Sequence, residues 1–135
     1  PYAFKKNKYI MKNLIIDAAN DKVFFTVITE TQSYTTNYIN SRENFDKFTY
    51  HLLFFLKKYK IEIKDIKKIF VNQGPGKISS IRTSISVTKA IALSKNIVLY
   101  GYNSEDFDGQ DYKKIMKLEN KNQLNKDLIK PYYSS

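Results

Sequence analysis

The stretch of this chain best suited to chemistry is Gly74-Pro75-Gly76, followed by Lys77 and then by Ser79 and Ser80. Glycines let a backbone approach a ligand closely, and the N–H groups at a helix start hold anions. The loop is not a phosphate-binding Walker loop. That pattern needs a glycine where Val71 stands and a Ser or Thr where Ile78 stands. The alternative is a plain glycine turn with Ser79 or Ser80 capping the next helix. Asp17 closes an apolar run, a place where an acid can hold a metal. Turn capping toward Asn20 or Asp21 explains it equally. Ser104–Asp111 looks like a calcium loop, but its first and twelfth positions are Ser104 and Ile115, where acids are required. His51 lies among Leu and Phe residues, and reads as a core or interface histidine. No nucleophile–base pair follows from spacing.

The remaining composition narrows the classes. The 135 residues include no Cys and one His, which excludes disulfides, thiolate metal sites and a His cluster. No apolar run is long enough to span a bilayer, so a cytoplasmic, non-membrane protein is expected. The formal charge is +10, carried almost wholly by Lys rather than by Arg. Arg is the better residue for bidentate phosphate contacts. Lys, Asn, Ile, Tyr and Phe are abundant, while Ala, Gly, Pro and Arg are scarce, the balance an A/T-rich genome produces. Lys5, Lys6 and Lys8 precede Met11, so residues 1–10 read as a leader or the remnant of an added segment. Removing those three lysines leaves about +7. A lysine-driven nucleic-acid surface stays as the rival to simple solubilising charge.

Five strands and two helices must position these residues. Asn13–Ala19, Val23–Thr29 and Ser33–Ile39 read as three antiparallel strands, the first two joined by a turn at Asn20-Asp21. A helix follows from an N-cap at Ser41 to Tyr59, then a strand at Lys68–Asn72, a helix at Ser79–Lys95 and a strand at Ile97–Gly101. Helical crossovers make the last strands parallel. The fold class is therefore α/β with a mixed sheet, in the order of the ribonuclease H-like half-domain of the actin-like ATPase fold. Residues 105–135 are polar and read as a weakly helical or partly disordered tail.

Both helices carry more apolar surface than one contact needs. On the first, Phe45, Phe48, Leu52 and Phe55 share a stripe with Leu56 and Tyr59, yet Tyr50, Leu53 and Phe54 are apolar as well. On the second, Ile78, Ile81, Ile85 and Ala92 form one stripe, and Ser84, Val87 and Ile91 another. Arg82 and Lys89 share a face of that helix. A second packing partner or burial between sheet and neighbouring helix both account for the excess.

The run Asn72–Ala92, NQGPGKISSIRTSISVTKAIA, resembles the signature of the TsaB (YeaZ) family. There a strand leads into Gly-Pro-Gly-Ser-Phe-Thr-Gly-Leu-Arg and a helix with Ala-Lys-Gly-Leu-Ala. Gly74, Pro75, Gly76, Arg82, Lys89 and Ala92 keep that register. Leu14–Ala19 is similar to the family's opening strand, with Asp17 at its Asp, and the likeness extends from Met11 to about Ser104. Lys77, Ser80, Ser84 and Ala90 depart from the pattern, Ala18 and Ala19 replace Thr and Ser, and Asn44 stands near the usual His.

The resemblance implies a first lobe, residues 11–104, of a protein that ordinarily has two. It implies a non-catalytic partner of TsaD, working with TsaE, in forming N6-threonylcarbamoyladenosine at position 37 of tRNA. ATP and metal would belong to those partners, and Asp17 would be a vestige of a nucleotide or metal site. The family pairs through its first two helices. Phe45, Phe48, Leu52, Phe55, Ile81, Arg82, Ile85 and Lys89 are therefore the expected interface to TsaD, or to a second copy of this chain. tRNA would be met through the complex. A nucleotide hydrolase using Asp17 and the Gly74–Gly76 loop is the remaining alternative.

Overall fold

The computed structural model describes residues 11–107, 111–126 and 129–132. The expected leader at 1–10 lies outside them. Strands β1 (Lys12–Asp17), β2 (Lys22–Ile28), β3 (Ser33–Ile39), β4 (Ile66–Asn72) and β5 (Val98–Tyr102) form one sheet in the order β3-β2-β1-β4-β5. β1 pairs antiparallel with β2 and parallel with β4, and β5 adds parallel to β4. The mixed α/β sheet expected from the element order is the one observed.

β1 is central and covered on both faces, which is why Leu14, Ile15 and Ile16 form an unbroken apolar run. β3 is an edge strand with clean alternation. Tyr34, Thr36 and Tyr38 turn inward while Ser33, Thr35, Asn37 and Ile39 are exposed. Thr26 and Thr35, directly paired across β2 and β3, join through their hydroxyls at 3.1 Å.

Helices α1 (Phe48–Lys58) and α2 (Ile78–Lys95) pack on one face of the sheet, over Leu14, Ile16, Phe25, Ile69 and Val71. α1 starts later than Ser41. A 3-10 segment, Arg42–Lys47, precedes it, and the Ser41 side chain makes no capping bond. There Asn44 N donates to the Ser41 carbonyl, and the Asn44 side-chain amide donates to the Ile39 carbonyl at 2.8 Å. α1 ends on Lys60 in the left-handed region, with Ile61 N closing back on the Leu56 carbonyl. α2 ends similarly on Asn96, at φ 55°.

The polar tail is not simply a tail. α3 (Tyr112–Asn120) forms within it and covers the opposite face of the sheet. Ile15, Phe70, Tyr102, Phe107 and Ile115 make a second buried cluster there. Ile129 is buried in the main core, and Tyr132 N donates to the Gln73 carbonyl at 2.7 Å. Of the two expected alternatives, a weakly helical or a partly disordered tail, the described residues contain a helix. Few apolar side chains suffice, because each lands on a preformed strand surface. Among the described residues, no helix is long and apolar enough to cross a membrane.

Candidate functional site

The carboxyl ends of β1 and β4 bring Asp17 and the glycine loop together, as parallel neighbours must. Asp17 is buried, and its Oδ1 accepts from Ala19 N at 3.2 Å and from Asn72 Nδ2 at 3.0 Å. Asp17 thus ties the turn at Ala19 to the neighbouring strand at Asn72. Asn72 Oδ1 in turn accepts from Gly74 N at 2.7 Å and from Ser104 Oγ at 3.1 Å. β1, β4 and the segment after β5 are thereby linked through one buried amide.

The loop needs its glycines. Gly74 has φ +103°, a conformation L side chains rarely adopt. Gly76 passes so close to the turn after β1 that an added Cβ would lie 2.2 Å from the Ala19 carbonyl oxygen. The Gly74–Pro75 bond is cis. Lys77 N donates to the Ala19 carbonyl at 2.8 Å, and Ser104 N to the Gly74 carbonyl at 2.8 Å. Two backbone donors of this loop, Gly74 N and Lys77 N, are thus engaged within the chain. Lys77, not Ser79 or Ser80, occupies the cap position of α2.

Ser80 instead donates its hydroxyl to Asn40 Oδ1 at 2.6 Å. Asn40 is the second hub of this end of the sheet. Its Nδ2 donates to the carbonyls of Ala18 and Asn20, and its own carbonyl accepts from Lys77 Nζ at 3.1 Å. Asn40, Asn72, Gln73 and Ser104 were not singled out by their sequence context. The one local signal was Asn-Gln placed directly before Gly-Pro-Gly. Among the described residues, no three His, Cys, Asp or Glu side chains cluster as metal ligands.

The helices divide the expected interface residues differently from the sequence reading. Phe48, Leu52 and Phe55 on α1, and Ile81 and Ile85 on α2, are all buried in the chain's own core. They cannot meet a partner while this chain is folded. The Phe45 side chain lies outside the described set. Arg82 and Lys89 are exposed on the outer side of α2. Val87 and Ile91, the second apolar stripe of α2, also pack against the core, so both stripes belong to one broad inward arc.

The apolar side chains left outside are the ones in excess on α1. Tyr50 is 65% exposed, Leu53 46% and Phe54 59%. They line a groove of about 600 Å³ with Lys57 and Lys58. Tyr50 and Phe54, one turn apart, stack with ring centroids 6.2 Å apart. Behind them His51 stacks on Tyr38 at 4.2 Å, within the packing between α1 and β3. Burial pushes the Tyr38 hydroxyl up to about 12.

This sheet, with two helices on one face and a third on the other, has the ribonuclease H-like fold shared with actin-like ATPases. The family model described as TsaD, tRNA N6-adenosine threonylcarbamoyltransferase, matches residues 39–107, just over half of the chain. The chain belongs to that family. Among solved structures, YeaZ from Pseudomonas aeruginosa superposes with a TM-score of 0.64 at 14% identity, over 69% of this chain and 44% of that one. A protein described as uncharacterized, with similarity to peptidase YeaZ from the same organism, gives 0.64 at 14% identity, over 69% and 43%. RuvC of T. thermophilus, in complex with a Holliday junction substrate, gives 0.50 at 11% identity, over 71% and 66%. At these identities the structural likeness speaks to fold. The chain spans less than half the length of the YeaZ structures it matches. A comparison with curated proteins gives no match.

Proposed function

We propose that this chain is a TsaB-like, non-catalytic partner of a TsaD-type enzyme in forming N6-threonylcarbamoyladenosine at position 37 of tRNA. It acts in the cytoplasm, and TsaE, ATP and the metal belong to the other members of the complex. The observation that carries the reading is the exposed Tyr50–Leu53–Phe54 face of α1. Clustered aromatic and aliphatic side chains of this kind anchor protein interfaces. A cationic rim, Lys57 and Lys58, borders it. The outer side of α2, with Arg82, Lys89 and the 87%-exposed Leu93, extends the candidate surface.

Support for a non-catalytic role comes from the strand-end site. Asp17 and the glycine loop are the residues a nucleotide hydrolase would use. Here Asp17 accepts bonds that hold β1 to β4, and the loop donates to Asn72 and Ala19. Those groups serve as structural joints between strands.

The test is co-purification with the TsaD-type protein of the same organism, followed by mass measurement of the complex. The wild-type chain is expected to form a heterodimer, and to self-associate through the same face when alone. Replacing Leu53→Asp together with Phe54→Asp should weaken pairing by at least about a hundredfold, the effect of losing a central apolar anchor. The monomer should stay folded, because both side chains are exposed. No complex at micromolar concentrations would defeat the proposal.

A further inference from the structure

α3 turns a row of lysines away from the sheet. At about 100° per residue, Lys113, Lys117, Lys121 and Lys114 fall within about 100° of arc. All four are exposed. A rise of about 1.5 Å per residue places Lys113, Lys117 and Lys121 roughly 6 Å apart in sequence along the axis. The opposite side of the helix faces the sheet, where Ile115 is fully buried and Met116 and Leu118 pack around the second core cluster.

The nearby acids do not neutralise this row. Asp111 Oδ1 accepts from Lys114 N, so it caps the helix start. Glu119 points to the sheet side and pairs with Lys68 of β4, and its side chain is 12% exposed. Among the described residues, none of the four lysines takes part in an ion pair. They line a groove of about 480 Å³ together with Asp111, Leu118 and Gln123.

We infer that this lysine face of α3 is a docking site for the phosphate backbone of a nucleic acid, which in the reading proposed above is tRNA. A row of evenly spaced cations matches a chain of evenly spaced monoanions. A lone small anion would need converging N–H donors or an Arg fork, and among the described residues this face has neither. A lipid surface would need an apolar helix side to insert, and that side of α3 is already packed on the sheet. Among the described residues, the face also carries no Arg and no aromatic ring that would read or stack on bases. Binding is therefore independent of base sequence and strongly dependent on salt. It is the arrangement that carries the inference, since the net charge alone would follow from composition.

The experiment measures binding of an unmodified tRNA transcript to the full chain across a salt series. The triple variant Lys113→Gln, Lys117→Gln, Lys121→Gln is set beside a control of equal charge loss. That control is Lys60→Gln, Lys64→Gln, Lys95→Gln, three lysines that line one groove beside α1 and α2. The first triple should lose at least about tenfold in affinity at low salt and reduce the log–log salt slope by about 2, the yield of three lost contacts. The control should stay within about twofold. Equal losses from both triples would mean diffuse attraction and overturn the inference. So would an absence of tRNA binding by the wild type, or binding to phosphatidylserine vesicles in its place. The choice of tRNA as probe rests on the proposed function, but the two fail separately. The Lys113, Lys117, Lys121 variant should still pair with the TsaD-type partner, and the Leu53, Phe54 variant should still bind tRNA.

Discussion

α1 and α3 lie on opposite faces of the same sheet and each packs an apolar inward side on it, yet their outward sides differ completely. α1 shows Tyr50, Leu53 and Phe54, whereas α3 shows Lys113, Lys114, Lys117 and Lys121. Both helices need only one apolar side to hold their place. What stands on the other side is therefore free of folding constraints and reports on what each face meets. An apolar surface with a thin cationic rim suits a protein partner that excludes water. A lysine row suits a solvated polyanion.

The largest expected effect comes from breaking an inward side. Leu52 and Leu53 are neighbours on α1, but one is fully buried and the other 46% exposed. Leu52→Ala should cost about 2–5 kcal/mol of stability, while Leu53→Ala should stay within about 0.5 kcal/mol. Denaturant melts of both variants check this. The Leu53→Asp, Phe54→Asp pair comes next, with pairing lost and folding kept. The lysine triple on α3 follows, with its smaller loss confined to nucleic-acid binding.

A pH effect sharpens the inward side of α1 further. The Tyr38 hydroxyl is held up to about 12 by burial, above its usual 10. The folded chain therefore favours the neutral phenol. That contribution is fully present below pH 10 and is lost as pH rises toward 12. Tyr38→Phe should flatten this part of the alkaline stability curve, read by melting at successive pH values. The smallest effect is at the end of α1. Lys60 adopts φ 57°, so Lys60→Gly should raise stability by about 0.5–1 kcal/mol.

The sequence exposed the fold more fully than the site. The order of elements along the chain followed from turn signals and from periods of two and 3.6, and β3 kept its expected limits, Ser33–Ile39. The excess apolar character of α1 was legible too, but its sides were assigned in reverse. A stripe at helical spacing marks the face that packs, and Phe48, Leu52 and Phe55 pack on their own sheet. The leftover residues, Tyr50, Leu53 and Phe54, are the ones a partner can reach. α2 misled for a related reason. Ser84 is fully buried, with its hydroxyl donating to the Ile81 carbonyl, so a polar residue type hid the width of the inward arc.

The strand-end network was illegible for a different reason. Asn72 and Asp17 are 55 positions apart, as are β4 and β1 generally, and nothing local links an amide to a distant carboxylate. In the tail, sparse Ile115, Met116 and Leu118 suggested weak structure. Their value lies in the Phe70 and Tyr102 surface they cover, which belongs to another part of the chain. The lysine row emerges only once that inward side is fixed.

The most direct test of the central claim is the mass of the species formed when this chain is mixed with the TsaD-type protein of its own organism. The account predicts a heterodimer for the wild type and for the Lys113, Lys117, Lys121 variant, and separate monomers for the Leu53→Asp, Phe54→Asp variant. A wild-type mixture that stays uncombined, or a heterodimer untouched by the Leu53 and Phe54 substitutions, would contradict it.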